Sequence, residues 1–125
     1  MDSKQLALRC RALAEDKKAE NLVVLDLRKL SPVTDFFVLA TGSSEPHLRA
    51  IVGEISEKLA EEEGLRPLAQ DGTWKTNWVV LDYFDVIVHV MRAEAREIYA
   101  LESLWGDAPR LRPRRPARRQ APDAA

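Results

Sequence analysis

The segment Thr41-Gly42-Ser43-Ser44 stands between a strand-like run and a helical pattern, a position at which proteins bind anions. Backbone N–H groups at the start of a helix attract phosphate, and glycine lets a ligand approach the chain closely. The segment lacks both the glycine spacing of a dinucleotide site and the lysine of a P-loop. A serine that caps the following helix needs the same residues, so we expect a cap here.

The Gly42-Ser43 pair is also similar to the start of a nucleotidyltransferase site, whose metal ions are held by two closely spaced carboxylates. The next helix offers only Glu54 at a comparable distance, and the helical pattern places it on the polar face. Because the catalytic pair is missing, we expect no enzyme, no catalytic residue and no cofactor. A nucleotide-binding or nucleotidyltransferase enzyme is kept as the alternative hypothesis.

Metal ligands are scarce in this chain. Asp82 and Asp85 have the chemistry to hold a divalent cation, but aspartates at strand ends are more typical of turns and caps. His47 and His89 are the only histidines, and their spacing matches no zinc motif. The single Cys10 lies in a helical pattern and is predicted to fill the core. We therefore expect no metal site.

The elements that must position these residues follow from the spacing of apolar residues. In the first half of the chain we predict a helix from Asp2 or Ser3 to about Glu20, strands at residues 22–27 and 36–41, and a long helix ending at Gly64.

The second half of the chain is predicted to be mainly strands. Residues 65–69 form a short strand, and Gln70-Asp71-Gly72-Thr73 is the turn of a hairpin that returns at Trp78. Residues 78–82 and 86–91 are antiparallel neighbours because only three residues separate them. A last helix at residues 93–104 stops at Gly106, and Arg96 and Glu102 are candidates for fixing it in place.

This order of elements predicts an α/β fold of two layers, a mixed sheet with helices mainly on one face. Two consecutive strands precede the long helix, which disfavours a doubly wound parallel fold. We expect a single domain over residues 1–105. Residues 106–125 are rich in proline and arginine with almost nothing apolar, and we expect this tail to be disordered.

Charge is divided unevenly between domain and tail. The first 105 residues carry 13 Lys and Arg against 18 Asp and Glu, whereas residues 106–125 carry six Arg against two Asp. Such a tail is either a contact for nucleic acid phosphates or a solubilising extension, and the sequence does not separate the two. No apolar run is long enough to span a membrane, and the start has neither a signal nor a transit pattern. We expect a cytoplasmic protein without membrane contact.

Alternation along the last two long strands defines two faces of the sheet. Val86, Val88 and Val90 form a purely apolar face that should meet the helices, so His89 and Met91 lie on the opposite face. On the neighbouring strand the residues of this opposite face are Trp78, Val80 and Asp82. An uncovered patch of this kind is typical of a protein contact, but a core lined on both sides explains the pattern equally well.

The chain resembles the Iojap-like ribosomal silencing factors over almost all of residues 4–108. The motifs that carry this resemblance are Asp26-Leu27-Arg28, Ser31, residues 35–38, residues 40–44, His47, Trp78, Asp82, Asp85, residues 88–91 and residues 96–105. The basic tail lies outside it.

The resemblance implies a nucleotidyltransferase-like sheet without catalytic carboxylates, in agreement with the missing acidic pair. It implies binding to the large ribosomal subunit through ribosomal protein fourteen. The bound factor then blocks joining to the small subunit and represses translation under nutrient limitation. A large-subunit assembly factor is a further alternative, and a homodimer is expected because dimers occur in the family.

The resemblance also places the partner surface on the sheet. The predicted partner-binding residues are Trp78, Val80, Asp82, His89, Met91 and Tyr99. Trp78 and Met91 are expected to be apolar anchors, His89 and Asp82 polar contacts, and Tyr99 a rim residue. Contact of the basic tail with ribosomal RNA would add salt-dependent affinity.

Overall fold

The computed structural model describes residues 1–73, 77–99 and 109–111, with backbone only at Thr73 and at residues 97–99. Its elements in chain order are α1 (Ser3–Asp16), β1 (Glu20–Asp26), β2 (Phe36–Gly42), α2 (Glu45–Glu63), β3 (Ala69–Thr73), β4 (Trp78–Asp82), β5 (Val86–Arg92), α3 (Ala93–Tyr99) and β6 (Arg110–Leu111). Within the described residues, every helix is too short or too polar to cross a bilayer.

Helix α1 starts at a reciprocal cap. The Asp2 carboxylate accepts a hydrogen bond from the Gln5 backbone N–H, and the Gln5 side chain accepts one from the Asp2 N–H. The helix ends at Asp16, four residues earlier than predicted. Its buried stripe stops at Ala14, and Lys18 takes a left-handed conformation at φ 60° that reverses the chain before β1.

The six strands form one sheet in the order β3-β4-β5-β2-β1-β6. The central pair β2 and β5 is parallel, because α2 and the β3–β4 hairpin lie between them in the chain. All other neighbours are antiparallel. The predicted mixed α/β sheet is confirmed.

The main core lies between the sheet and the pair α1 and α2. Leu13 and Cys10 of α1 meet Ile51, Ile55 and Leu59 of α2 over one face of the sheet, and all five side chains are buried. The sheet residues of this core include the alternating set Val79, Leu81, Val86, Val88 and Val90. This inner face agrees with the predicted alternation.

The first strand of the hairpin differs from the prediction. Strand β3 begins at Ala69, so Asp71 and Gly72 lie inside the strand and not in its turn. Gly72 has φ +85°, and a Cβ there would lie 2.0 Å from the Trp78 carbonyl oxygen. Glycine is therefore needed at position 72 because two strands approach closely there. In the sequence, this glycine after an aspartate has the same pattern as a hairpin turn.

The start of the predicted tail also differs from expectation. Arg110–Leu111 pairs with β1 as a sixth strand, and the Asp26 N–H donates to the Pro109 carbonyl at 2.7 Å. The prediction of disorder is wrong for these residues, because β1 would otherwise leave its edge N–H and C=O groups unpaired here. Residues 112–125 lie outside the described part of the chain.

Candidate partner-binding face

The face of the sheet opposite α1 and α2 is here called the outer face. On β4 it presents Trp78, Val80 and Asp82, each partly exposed, whereas Val79 and Leu81 between them are buried. Strand β4 is an inner strand of the sheet, so its backbone is fixed on both sides by hydrogen bonds. The predicted alternation along β4 therefore holds, and it leaves three adjacent side chains accessible to a partner.

Trp78 and His89 form the centre of the outer face. The Trp78 Nε1–H donates to His89 Nδ1 at 3.1 Å, and the two ring centroids are 5.8 Å apart. Phe37 of β2 meets the other side of the imidazole edge-on, with centroids 4.7 Å apart. Phe37 was missed from sequence, although its alternation with the core residues Phe36 and Val38 would have placed it on this face.

His89 is buried, with only 6% of its surface exposed. Burial lowers its pKa to about 4, so the ring is neutral at pH 7. Because Nδ1 accepts from Trp78, the ring proton is on Nε2, which has no hydrogen-bond partner among the residues that the structure describes. The expectation of an accessible polar contact is wrong in this structure. His89 instead holds the Trp78 ring in place.

Met91 is fully buried and also differs from its prediction as an apolar anchor for a partner. It forms a second core with Leu25, Leu39 and Ala95, against which Trp78 packs. Alternation places Met91 on the outer face correctly, but this part of the face is covered, with α3 lying over it. Met91 therefore belongs to the buried core against which Trp78 packs.

Asp82 and Tyr99 complete the predicted set. One carboxylate oxygen of Asp82 accepts a hydrogen bond from the Phe84 N–H at 2.7 Å, so Asp82 shapes the β4–β5 turn while staying half exposed. Tyr99 is the last described residue of α3, and the structure describes its backbone only. Its role as a rim residue stays a prediction.

The accessible part of the outer face is therefore narrower than predicted. On β4 and β5 it consists of Trp78, Val80, Asp82 and Ile87, the cross-strand partner of Asp82, and all four are partly exposed. We call these four residues the β4 strip. Partly exposed Phe37 on β2 and exposed Asp71, the cross-strand partner of Val80 on β3, lie beside it. The sequence pattern places Ile87 on the same face as His89 and Met91, but the predicted partner-binding set does not include it.

Helix α3 is tied to the sheet by Arg96. One of its guanidinium nitrogens donates to the Asn21 carbonyl at 2.5 Å and to the Thr41 hydroxyl at 2.7 Å. Asn21 has φ 48° at the bulge of β1, so a side chain of α3 holds an irregular point of the sheet. Arg96 thus fixes the last helix as expected.

The Thr41–Ser44 junction is a helix cap. The Ser44 hydroxyl accepts from the His47 N–H at 3.2 Å, and the Ser43 N–H donates to His47 Nδ1 at 2.8 Å. On its other side, His47 Nε2 lies 2.7 Å from the Lys17 carbonyl oxygen. These backbone donors are already used within the chain, which favours capping over phosphate binding. In the described part of the chain, no three His, Cys, Asp or Glu side chains converge on a metal position.

Comparison with known proteins places this geometry in a family. The family described as "ribosomal silencing factor during starvation" matches residues 1–125. The chain belongs to this family. It is 42% identical to the ribosomal silencing factor RsfS of Halalkalibacterium halodurans, covering 76% of this chain and 80% of the relative. Identity to the RsfS of Bacillus subtilis is 38%, covering 87% of this chain and 92% of that protein.

Solved structures of the same shape support the assignment. A crystal structure of a Chromobacterium violaceum protein superposes with a TM-score of 0.79 at 31% identity, covering 85% of this chain and 88% of that one. A crystal structure from Bacillus halodurans gives a TM-score of 0.70 at 36% identity, covering 88% and 96%. The chloroplastic Iojap protein of Arabidopsis thaliana is 33% identical, but the match covers only 44% of that longer protein.

Proposed function

We propose that this chain is a ribosomal silencing factor that binds the large ribosomal subunit through ribosomal protein fourteen. By occupying that surface it blocks joining to the small subunit and represses translation in the cytoplasm when nutrients are limited. The observation that carries the proposal is the β4 strip, a partly exposed group around Trp78 on an inner strand, in a chain that belongs to the silencing-factor family.

The physical support for a binding site is the way Trp78 is held. A tryptophan that is half exposed loses little freedom on binding if its ring is already fixed, and its large apolar area then contributes to affinity. Here the ring is fixed by the bond to His89 and by contact with the second core around Met91. His89 and Met91 therefore contribute to binding indirectly, because they hold the Trp78 ring in position.

Charge supports the same class of partner. The domain over residues 1–105 is acidic, and ribosomal proteins are generally basic, so association is favoured at long range. Asp82 at the end of the β4 strip and exposed Asp71, the cross-strand partner of Val80, are carboxylates that can meet basic residues of the partner. The arginines of the tail are a separate expected contact, to ribosomal RNA, with a strong salt dependence.

The test is co-sedimentation of the full-length protein with purified large subunits. We expect the protein to migrate with large subunits, and the double variant Trp78→Ala, Val80→Asn to lose association by about 30-fold or more, as expected for removal of a central anchor. Glu57→Ala is the matched control, since Glu57 is exposed on α2 on the far side of the sheet and should not alter binding.

Two outcomes would count against the proposal. One is failure of the unaltered protein to migrate with large subunits. The other is equal association of the double variant and the Glu57→Ala control, with both folded by circular dichroism. The contact with ribosomal protein fourteen is checked separately, by replacing Trp78 with a photo-crosslinking amino acid and identifying the captured protein.

A further inference from the structure

The exposed large apolar side chains gather at one end of the sheet. Leu30 and Val33 lie in the β1–β2 connection, Leu68 directly precedes β3, and Phe84 is in the β4–β5 turn; their exposed fractions range from 45% to 71%. We call these four residues the sheet-end row. Among the described residues, Met1 is the one further large apolar side chain that is exposed. The row shares no residue with the β4 strip but adjoins it at Asp82, whose carboxylate accepts a hydrogen bond from the Phe84 N–H.

Backbone hydrogen bonds fix the segments of the row to one another. The Leu68 N–H donates to the Asp82 carbonyl at 2.7 Å, and the Asp35 N–H donates to the Asp85 carbonyl at 2.9 Å. The row therefore follows the strand order from β3 to β1, across four strand spacings or about 19 Å. This is the length of a small protein–protein contact and far exceeds a single exposed side chain.

Phe84 occupies a backbone conformation that favours glycine. Its φ is 74°, in a three-residue turn where the Asp85 N–H donates to the Tyr83 carbonyl at 3.0 Å. The Asp82 carboxylate holds the Phe84 N–H and so stabilises the turn. The ring is nevertheless 64% exposed, so packing against the described residues does not account for an aromatic residue at a strained position. A partner that receives the ring does account for it.

Charges around Phe84 indicate the chemistry of that partner. Asp82, Asp85 and Asp35 lie in or beside the turn, while Lys29 and Arg66 lie toward the two ends of the row. Arg28, 5.0 Å from the Phe36 ring, is paired with the Asp26 carboxylate. Carboxylates at the centre repel nucleic acid phosphates and attract lysine and arginine. An apolar ring between carboxylates is complementary to an apolar pocket between basic side chains.

We propose that the sheet-end row is a second protein-binding surface, which takes a basic protein of the large ribosomal subunit with Phe84 as its anchor. This inference rests on the association with the large subunit proposed above but not on the contact through Trp78. Phe84 enters an apolar pocket of the partner, and Asp85 pairs with basic groups beside that pocket.

The test places a photo-crosslinking benzoylphenylalanine at position 84, at position 78 or at the control position 57 of the full-length protein, each with purified large subunits. We expect position 84 to capture a basic ribosomal protein, whether or not position 78 captures the same one, and position 57 to capture none. Three results at position 84 would overturn the inference: capture of ribosomal RNA alone, capture of a second copy of this chain, or no capture while position 78 crosslinks. Capture from 84 but not from 78 would instead overturn the Trp78 contact.

A pair of variants separates binding from folding. Phe84→Gly removes the ring at a position that glycine tolerates, so we expect an unchanged Tm and an affinity for large subunits lowered by about 30-fold. Asp85→Asn should weaken association mainly at low salt. Unchanged affinity of Phe84→Gly at an unchanged Tm would contradict the proposal, as would a binding loss fully explained by unfolding.

Discussion

His89 should make the stability of the protein depend on pH between about 4 and 6.5, a window that extends above the range in which carboxylates titrate. Burial lowers its pKa to about 4 in the folded protein, from an ordinary value of 6.5. A group with a lowered folded pKa binds its proton more readily in the unfolded chain, so stability is complete above pH 6.5 and falls as the pH drops toward 4. The loss between pH 7.5 and pH 5 works out at about 2 kcal/mol.

The assay is urea unfolding followed by tryptophan fluorescence and circular dichroism at pH 7.5 and pH 5. The comparison variant is His89→Phe, which keeps an aromatic ring against Phe37 and has no titrating group. We expect the unaltered protein to lose about 2 kcal/mol more than the variant over this range. Equal losses in the two proteins would refute the account of His89 as a buried neutral ring.

Three further predictions concern single positions. Gly72→Ala should lower the free energy of unfolding by about 3 kcal/mol, because its Cβ would meet the Trp78 carbonyl oxygen. The control Gly53→Ala on α2, whose Cβ would make an ordinary contact with the Glu57 side chain at 3.8 Å, should raise it by about 0.5 kcal/mol in urea titrations. Trp78→Phe should cost about 1 kcal/mol beyond its lost area by leaving His89 Nδ1 without a donor, an excess that a double-mutant cycle with His89→Phe should abolish. Cys10 is fully buried and its pKa is raised to about 12, so a thiol reagent at pH 8 should modify it only at the rate of unfolding; rapid labelling of the folded protein would contradict this.

Alternation along single strands predicted which face each residue occupies. The apolar set of β4 and β5 was placed correctly because a strand with one face against two helices must alternate. Alternation carries no information on whether the other face is covered. Met91 is buried in a second core, whereas Val80, one strand away, stays half exposed. That difference depends on where α3 lies, and no local pattern fixes the position of a helix over a sheet.

The sequence prediction also differed from the structure at Gly72, at Arg110–Leu111 and at Phe84. Asp71-Gly72 is typical of a hairpin turn, but here glycine allows two strands to approach closely. Arg110–Leu111 is too short to show any periodicity, and its pairing is set by the open edge of β1. Phe84 gave no signal in the sequence, because its exposure and its positive φ are visible only in the folded turn.

The measurement that tests the central claim most directly is subunit joining. Purified large and small subunits are mixed with the full-length protein under conditions that favour joining, and the products are separated on a sucrose gradient. We expect the protein to lower the fraction of joined ribosomes and to migrate with free large subunits. The double variant Trp78→Ala, Val80→Asn should restore joining, and Glu57→Ala should act like the unaltered protein. Undiminished joining with the unaltered protein present in excess, or equal inhibition by the double variant, would contradict the account.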